Sequence, residues 1–191
     1  ASSDNSPAEL AQFAVMGEAY SKVIYGVNDP KVYLISNGTE EGKGNNLVKE
    51  AYVLMKQNPH FKGYVEGRNV LAGEADVVVF DGFTGNVFLK GAEGVAKMFG
   101  SMLKDAFTKS LSTKIGYLFA KKGMNELRSM MDYKKVGGAM LLGVNTVAVK
   151  AHGNADEVSF YSSIQIAYTL AKNKVVDSIK ENLKWDQLMN Y

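Results

Sequence analysis

The five residues Asp76-Val77-Val78-Val79-Phe80 constrain this chain more than any other stretch. Three consecutive valines beside a phenylalanine favour extended backbone, and the run lacks the polar alternation of a half-solvated strand. It therefore reads as a strand buried on both faces, the kind found in parallel sheets with helices on either side. Parallel strands need long crossover connections, usually helical, so strand-like and helix-like segments should alternate along the sequence.

That alternation is present. Ser6-Pro7-Ala8-Glu9 joins an N-cap serine, a proline at the first helical position and a glutamate three residues after the cap, which predicts a helix to about residue 25. Asn28-Asp29-Pro30 is a turn, residues 31–35 a short strand, 36–44 a polar glycine-rich loop, and 45–58 a helix with Leu47, Ala51, Leu54 and Met55 at helical spacing. A short strand at 63–65 precedes the valine run. A long helix is expected from Asn86, with Val95, Phe99, Met102, Leu103 and Phe107 on one face. Two further short strands are expected at 140–142 and 147–150, then a helix to about residue 172 capped by Asn154 and Glu157, and a last helix over 175–189. The pattern predicts one α/β domain over residues 1–191, with a mainly parallel sheet.

Composition narrows the function classes. With 191 residues, 46% of them hydrophobic, there is enough for one well-filled core. Lysines, glycines and acids interrupt every apolar run, so the expectation is a soluble or peripheral protein. There is no cysteine, hence no disulfide, thiolate nucleophile or cysteine-based zinc site, and two histidines are too few for a His-rich metal site. This usage fits a reducing cytoplasm, no secretory signal follows Ala1, and a chain that starts without Met reads as a fragment. A net charge of +2 argues against a dedicated nucleic-acid binder. The charge is nevertheless concentrated: Lys109, Lys114, Lys121, Lys122, Arg128, Lys134 and Lys135 stand against only Glu126 and Asp132 between residues 109 and 135.

Three loops at expected strand ends could hold an anion, because such loops lead into helix N-termini with free N–H groups. The first is 36–45, where Gly42 and Gly44 let the backbone approach a ligand, Lys43 supplies a point charge and Asn45 follows. It is neither a Walker A loop, since Gly44 stands where Ser or Thr is required, nor a dinucleotide fingerprint, since Leu47 replaces the third glycine. The alternative is a solvated turn. The second is Asp81-Gly82-Phe83-Thr84-Gly85-Asn86, whose polar side chains could face a ligand or serve only as helix caps and backbone partners. The third is Lys150-Ala151-His152-Gly153, where a lone histidine near a helix start has a structural reading too. His60, after Asn58-Pro59, reads as a surface turn residue.

Within the basic segment, Leu111, Ile115, Leu118 and Phe119 recur at helical spacing, and Met124, Leu127 and Met131 repeat the pattern after Gly123. Two stripes joined by a turn at Gly123 predict a helical hairpin over 107–131. Its apolar side fits a subunit interface or, with Lys121 and Lys122 beside it, an anionic membrane surface or an acidic partner.

Taken together, Gln12 to Gly17, Glu40 to Asn45, Asp81 to Asn86 and Lys150 to Gly153, in this order and spacing, resemble the PlsX family of phosphate:acyl-(acyl carrier protein) acyltransferases over essentially the whole chain. The resemblance implies a three-layer α/β/α fold related to phosphotransacetylases and isocitrate-type dehydrogenases. It also implies a homodimer, acyl carrier protein as donor, inorganic phosphate as acceptor, and no metal or nicotinamide cofactor. The family's N-terminal part, with its Asp-Ala-Met-Gly-Gly-Asp opening, is not in this chain. On this reading Lys43, Asn86 and His152 carry the chemistry, while Gly42, Gly44, Asn45, Asp81, Gly82, Thr84, Gly85 and Lys150 bind phosphate or substrate. The product, a fatty acyl phosphate, is an amphiphile suited to delivery at a bilayer and to a membrane glycerol-3-phosphate acyltransferase. Two alternatives are a phosphotransacetylase-like enzyme using acyl-CoA, and a non-catalytic module that docks on membrane or carrier protein.

Overall fold

The fold was analysed in a computed structural model that describes residues 2–130, 138–151, 153 and 155–183, with only the backbone of 128–130. The element order is α1 (Pro7–Tyr25), β1 (Val32–Ile35), α2 (Asn46–Met55), β2 (Phe61–Val65), α3 (Gly67–Leu71), β3 (Val77–Val79), α4 (Gly82–Thr108), α5 (Leu111–Met130), β4 (Ala139–Met140), β5 (Val149–Lys150), α6 (Glu157–Lys172) and α7 (Val175–Asn182). β1, β2 and β3 form a parallel sheet in the order β2-β1-β3, flanked by helices as the α/β/α expectation requires, while β4 and β5 pair antiparallel.

α1 begins where its capping box places it. The Ser6 side chain accepts from Glu9 N–H, and the Glu9 carboxylate accepts from Ser6 N–H at 2.6 Å. The helix is apolar on two sides and so joins two cores. Leu10, Ala11 and Ala14 pack with Val32 and Leu34 of β1, Val48, Ala51 and Met55 of α2, Tyr64 of β2 and Val79 of β3. Met16 and Ala19 pack with Leu170 of α6, Val175 and Ile179 of α7, and Leu183, with β4–β5 residues Met140 and Val149 alongside. Gly17 permits the close approach of α1 to the sheet, since a Cβ there would lie 2.6 Å from Val77 Cγ1.

Four expectations need correction. β3 is not buried on both faces: of its three valines only Val79 is buried, and Val77 and Val78 are half-buried. The long helix starts at Gly82 with Asp81 as N-cap, four residues earlier than expected at Asn86, because the Asp81 carboxylate satisfies Thr84 N–H. α6 is capped by Asp156 through Ser159, and Asn154 lies outside the described residues. The hairpin turns at Lys109–Ser110, not at Gly123, which sits inside α5. Ser110 makes the turn: its Oγ accepts from Thr113 N–H at 3.2 Å and its own N–H donates to Thr113 Oγ1 at 3.0 Å. The C-terminal part of the last expected helix, with Arg128 side chain, Met131, Lys134 and Lys135 of the basic segment, falls outside what is described.

His60 is also not a simple surface residue. Its Nδ1 lies 2.7 Å from Glu18 Oε2 and its Nε2 3.0 Å from Asp29 Oδ1, while Asn58 donates to the other Glu18 oxygen. Glu18 is 8% exposed. The cluster pins α1, the turn before β1 and the loop before β2 at the amino edge of the sheet. Removing one donor from a buried carboxylate leaves it under-satisfied, so His60→Ala is expected to lose about 2 kcal/mol of stability, a fall in Tm of about 4–8 °C. A thermal melt checks this; an unchanged Tm would mean water replaces the imidazole without cost.

Candidate functional site

Parallel pairing brings the first two candidate loops together. Leu34 and Val79 are register partners on adjacent strands, so residues 36–45 after β1 and 80–86 after β3 emerge side by side at the carboxyl edge of the sheet. α2 and α4 both point their N-termini at this edge.

The 36–45 loop is built by its own polar groups. Asn37 Oδ1 accepts from Gly44 N–H at 2.9 Å, closing the base of the loop, and Lys43 N–H donates to Glu40 C=O at 3.2 Å. Gly42 and Gly44 adopt φ of +88° and +91°, which side-chain-bearing residues rarely adopt. At Gly44 a side chain is excluded a second time, since a Cβ would lie 2.5 Å from Val48 Cγ1. Lys43 is exposed and its stem runs over Gly38, where a Cβ would meet Lys43 Cγ at 3.0 Å. Among the described residues Lys43 has no ion-pair partner. Asn45 caps α2: its Oδ1 accepts from Val48 N–H at 2.9 Å and its C=O from Lys49 N–H at 3.0 Å. Of the four N–H groups that a helix start leaves free, those of Asn46 and Leu47 stay available, three and four residues after Lys43.

The 81–86 loop is different. Asp81 is 6% exposed, and both its oxygens are taken by Thr84, Oδ1 by the N–H and Oδ2 by the hydroxyl, each at 2.7 Å. Gly82 N–H donates to Ser2 C=O at 2.9 Å and Gly85 N–H to Asp81 C=O at 2.9 Å. The Gly82 and Thr84 N–H groups at the start of α4 are thus taken, and the Asp81 carboxylate already occupies its positive end. Gly85 has a packing reason as well, because a Cβ would strike the Phe80 ring at 2.7 Å. Asn86 is exposed on α4 and takes no part in the cap, which Asp81 provides. The anion-attracting side of the edge is therefore the α2 side.

Lys150 is not joined to either loop. It is exposed on β5, paired through its backbone with Ala139 and standing on the second core. His152 lies outside the described residues. Among the described residues no group of three or more acidic or histidine side chains could hold a metal ion. Sequence reasoning missed Asn37, although an Asn-Gly pair in a loop is a turn signal of the kind whose side chain bonds nearby backbone. It also missed the Glu41–Lys56 ion pair, which no local pattern announces.

On the α4–α5 hairpin, Thr113, Tyr117, Ala120 and Met124 form the half-buried face of α5, and Tyr117 meets Phe107 of α4 with ring centroids 5.4 Å apart. Leu111, Ile115, Leu118 and Phe119 point the opposite way and are 76%, 51%, 68% and 87% exposed. Lys121 and Lys122 are exposed one turn beyond Leu118. No described helix is long and apolar enough to cross a membrane.

Comparison with known proteins adds the family. The sequence profile of the fatty acid synthesis protein family matches residues 1–178. A protein of Pelobacter propionicus named phosphate acyltransferase is 43% identical over 181 residues, 94% of this chain and 52% of its own length. One of Staphylococcus haemolyticus with the same name is 43% identical over 96% of this chain and 56% of its own. One of Campylobacter lari is 44% identical over 91% of this chain and 53% of its own. The chain spans about half the length of these curated relatives.

Proposed function

Because this chain belongs to the fatty acid synthesis protein family, we propose that it is the C-terminal portion of a phosphate acyltransferase that makes acyl phosphate from acyl-(acyl carrier protein) and inorganic phosphate. A phosphate oxygen attacks the thioester carbonyl, a tetrahedral oxyanion forms, and the C–S bond breaks to release the carrier thiolate, which takes up a proton. Phosphate is already an anionic nucleophile, so the protein's contribution is placement and stabilisation of negative charge. The support for this reading is exposed Lys43 on a loop whose glycines leave the backbone open, three residues before the helix start whose Asn46 and Leu47 N–H groups are unclaimed. Gly42, Gly44 and Asn45 shape that cradle, while Asp81, Gly82, Thr84 and Gly85 fix the facing helix start and present Asn86. Lys150 and His152 supply further anion binding and proton transfer when the substrate spans both regions. No cofactor enters.

The test uses a protein of full family length containing this chain, supplied with phosphate and either acyl-(acyl carrier protein) or acyl-CoA, with acyl phosphate trapped by hydroxylamine. Formation that requires phosphate and the carrier-protein thioester is the expected result. Equal or better turnover of acyl-CoA would favour the phosphotransacetylase-like alternative, and no acyl phosphate at all would leave the docking-module reading.

The outward stripe of α5 is proposed as a peripheral contact with anionic membrane, where an acyl phosphate would pass to a membrane glycerol-3-phosphate acyltransferase; the same reading makes the enzyme a cytoplasmic homodimer. Its support is the exposure of Leu118 and Phe119 on the side facing away from α4.

A further inference from the structure

We infer that the Glu41–Lys56 ion pair is a positioning contact that aims the Lys43 ammonium at the phosphate. The inference rests on the proposed phosphate role of Lys43.

Lys43 is flanked by two glycines in left-handed backbone conformations, so no neighbouring side chain restrains its direction. What restrains the loop lies further out. Its base is closed by Asn37 and Gly44, and its middle by the Lys43–Glu40 turn. Its tip, Glu41, reaches fifteen residues along the chain to Lys56 at the C-cap of α2. The tip is thereby tied to the same helix whose N-terminus faces the ligand. Lys56 is itself held, with its ammonium 5.0 Å from the Tyr52 ring centroid, and Tyr52 stacks on buried Tyr64 at 4.5 Å. The hydrogen bond to Glu41, with its charge behind it, raises the Lys56 ammonium pKa above its ordinary value. The pair is exposed, so it adds little to overall folding; its effect falls on the loop it anchors.

A carboxylate two residues from Lys43 makes the sign of the outcome informative. If Glu41 were only a nearby negative charge, its neutralisation would ease phosphate binding. If it anchors the loop, neutralisation weakens phosphate binding. In the full-length protein, Glu41→Gln is expected to raise the phosphate KM about threefold with kcat within about twofold, in line with the modest worth of exposed pairs. Lys56→Gln should do the same, the double variant no more than either alone, and Lys56→Arg should retain wild-type behaviour. Hydrogen exchange at Gly44 N–H, which Asn37 protects, should quicken in Glu41→Gln and not in Lys56→Arg. A lowered or unchanged phosphate KM in Glu41→Gln, with Lys43→Ala still impaired, overturns the positioning role while leaving the function. Lys43→Ala with wild-type kinetics overturns both.

Discussion

Lys43→Ala is expected to lower kcat/KM for phosphate at least tenfold in the full-length protein while its melting temperature stays close to that of the wild type. The two halves of this expectation come from the same geometry. Lys43 is exposed and has no ion-pair partner among the described residues, so its removal breaks no buried ion pair. It stands in the loop that leads into the N-terminus of α2, where the Asn46 and Leu47 N–H groups are unclaimed and charge on a phosphate or on the tetrahedral oxyanion would be felt most. Tenfold corresponds to about 1.4 kcal/mol of lost transition-state stabilisation, which is modest for one charge-assisted contact. A rise in phosphate KM alone would place Lys43 on the bound anion; an equal fall in kcat and kcat/KM would place it on the oxyanion. Unchanged kinetics in a folded variant would remove it from the site. Asn86→Ala is the companion measurement. Asp81 holds the cap of α4, so alanine at 86 forfeits no cap, and lost activity there would reflect the chemistry.

The parts of the fold legible in sequence were those written in short-range chemistry. The Ser6–Glu9 capping box, the turn before β1 and the glycine loop after it depend on residues a few positions apart, and each formed where its residues stand. Helix starts were less legible wherever two polar residues competed. Asp81 caps α4 in place of Asn86, and Asp156 caps α6, because each carboxylate reaches the backbone N–H three residues on and is also favoured by the positive end of the helix. The hairpin turn was misplaced for a related reason. Glycine at 123 weakens a helix without forbidding it, whereas Ser110 and Thr113 satisfy the orphan groups that a turn creates. α3, only five residues long, carried too short a period to detect. Long-range partners were beyond reach altogether: nothing near His60 announces Glu18 and Asp29, and nothing near Glu41 announces Lys56. At the site, sequence placed the two loops at strand ends but not which helix start remains open. That depends on the Asp81 carboxylate and the Ser2 C=O accepting from the first turn of α4, the second a matter of tertiary hydrogen bonding.

Leu118→Glu is expected to reduce binding of the full-length protein to anionic vesicles by tenfold or more. On α5 the apolar stripe could have been the seam of the hairpin. It is not, because Tyr117, Ala120 and Met124 form that seam and leave Leu111, Ile115, Leu118 and Phe119 on the opposite face. Burying an exposed leucine in an apolar medium is worth about 1.5–3 kcal/mol, enough by itself for a tenfold change. Glutamate forfeits that and adds repulsion from anionic headgroups. Lys121→Glu with Lys122→Glu tests the charge half of the contact. Each basic residue near an anionic surface contributes about 1 kcal/mol, so the double variant should lose anionic vesicles while changing little toward neutral ones. Binding is read by sedimentation with vesicles of phosphatidylcholine alone and of phosphatidylcholine with phosphatidylglycerol, with oligomeric state measured beside it. If the stripe is instead a subunit interface, Leu118→Glu would dissociate the oligomer and the lysine variant would leave vesicle binding untouched. If wild-type protein ignores anionic vesicles, or both variants bind them as well as it does, the membrane contact is wrong.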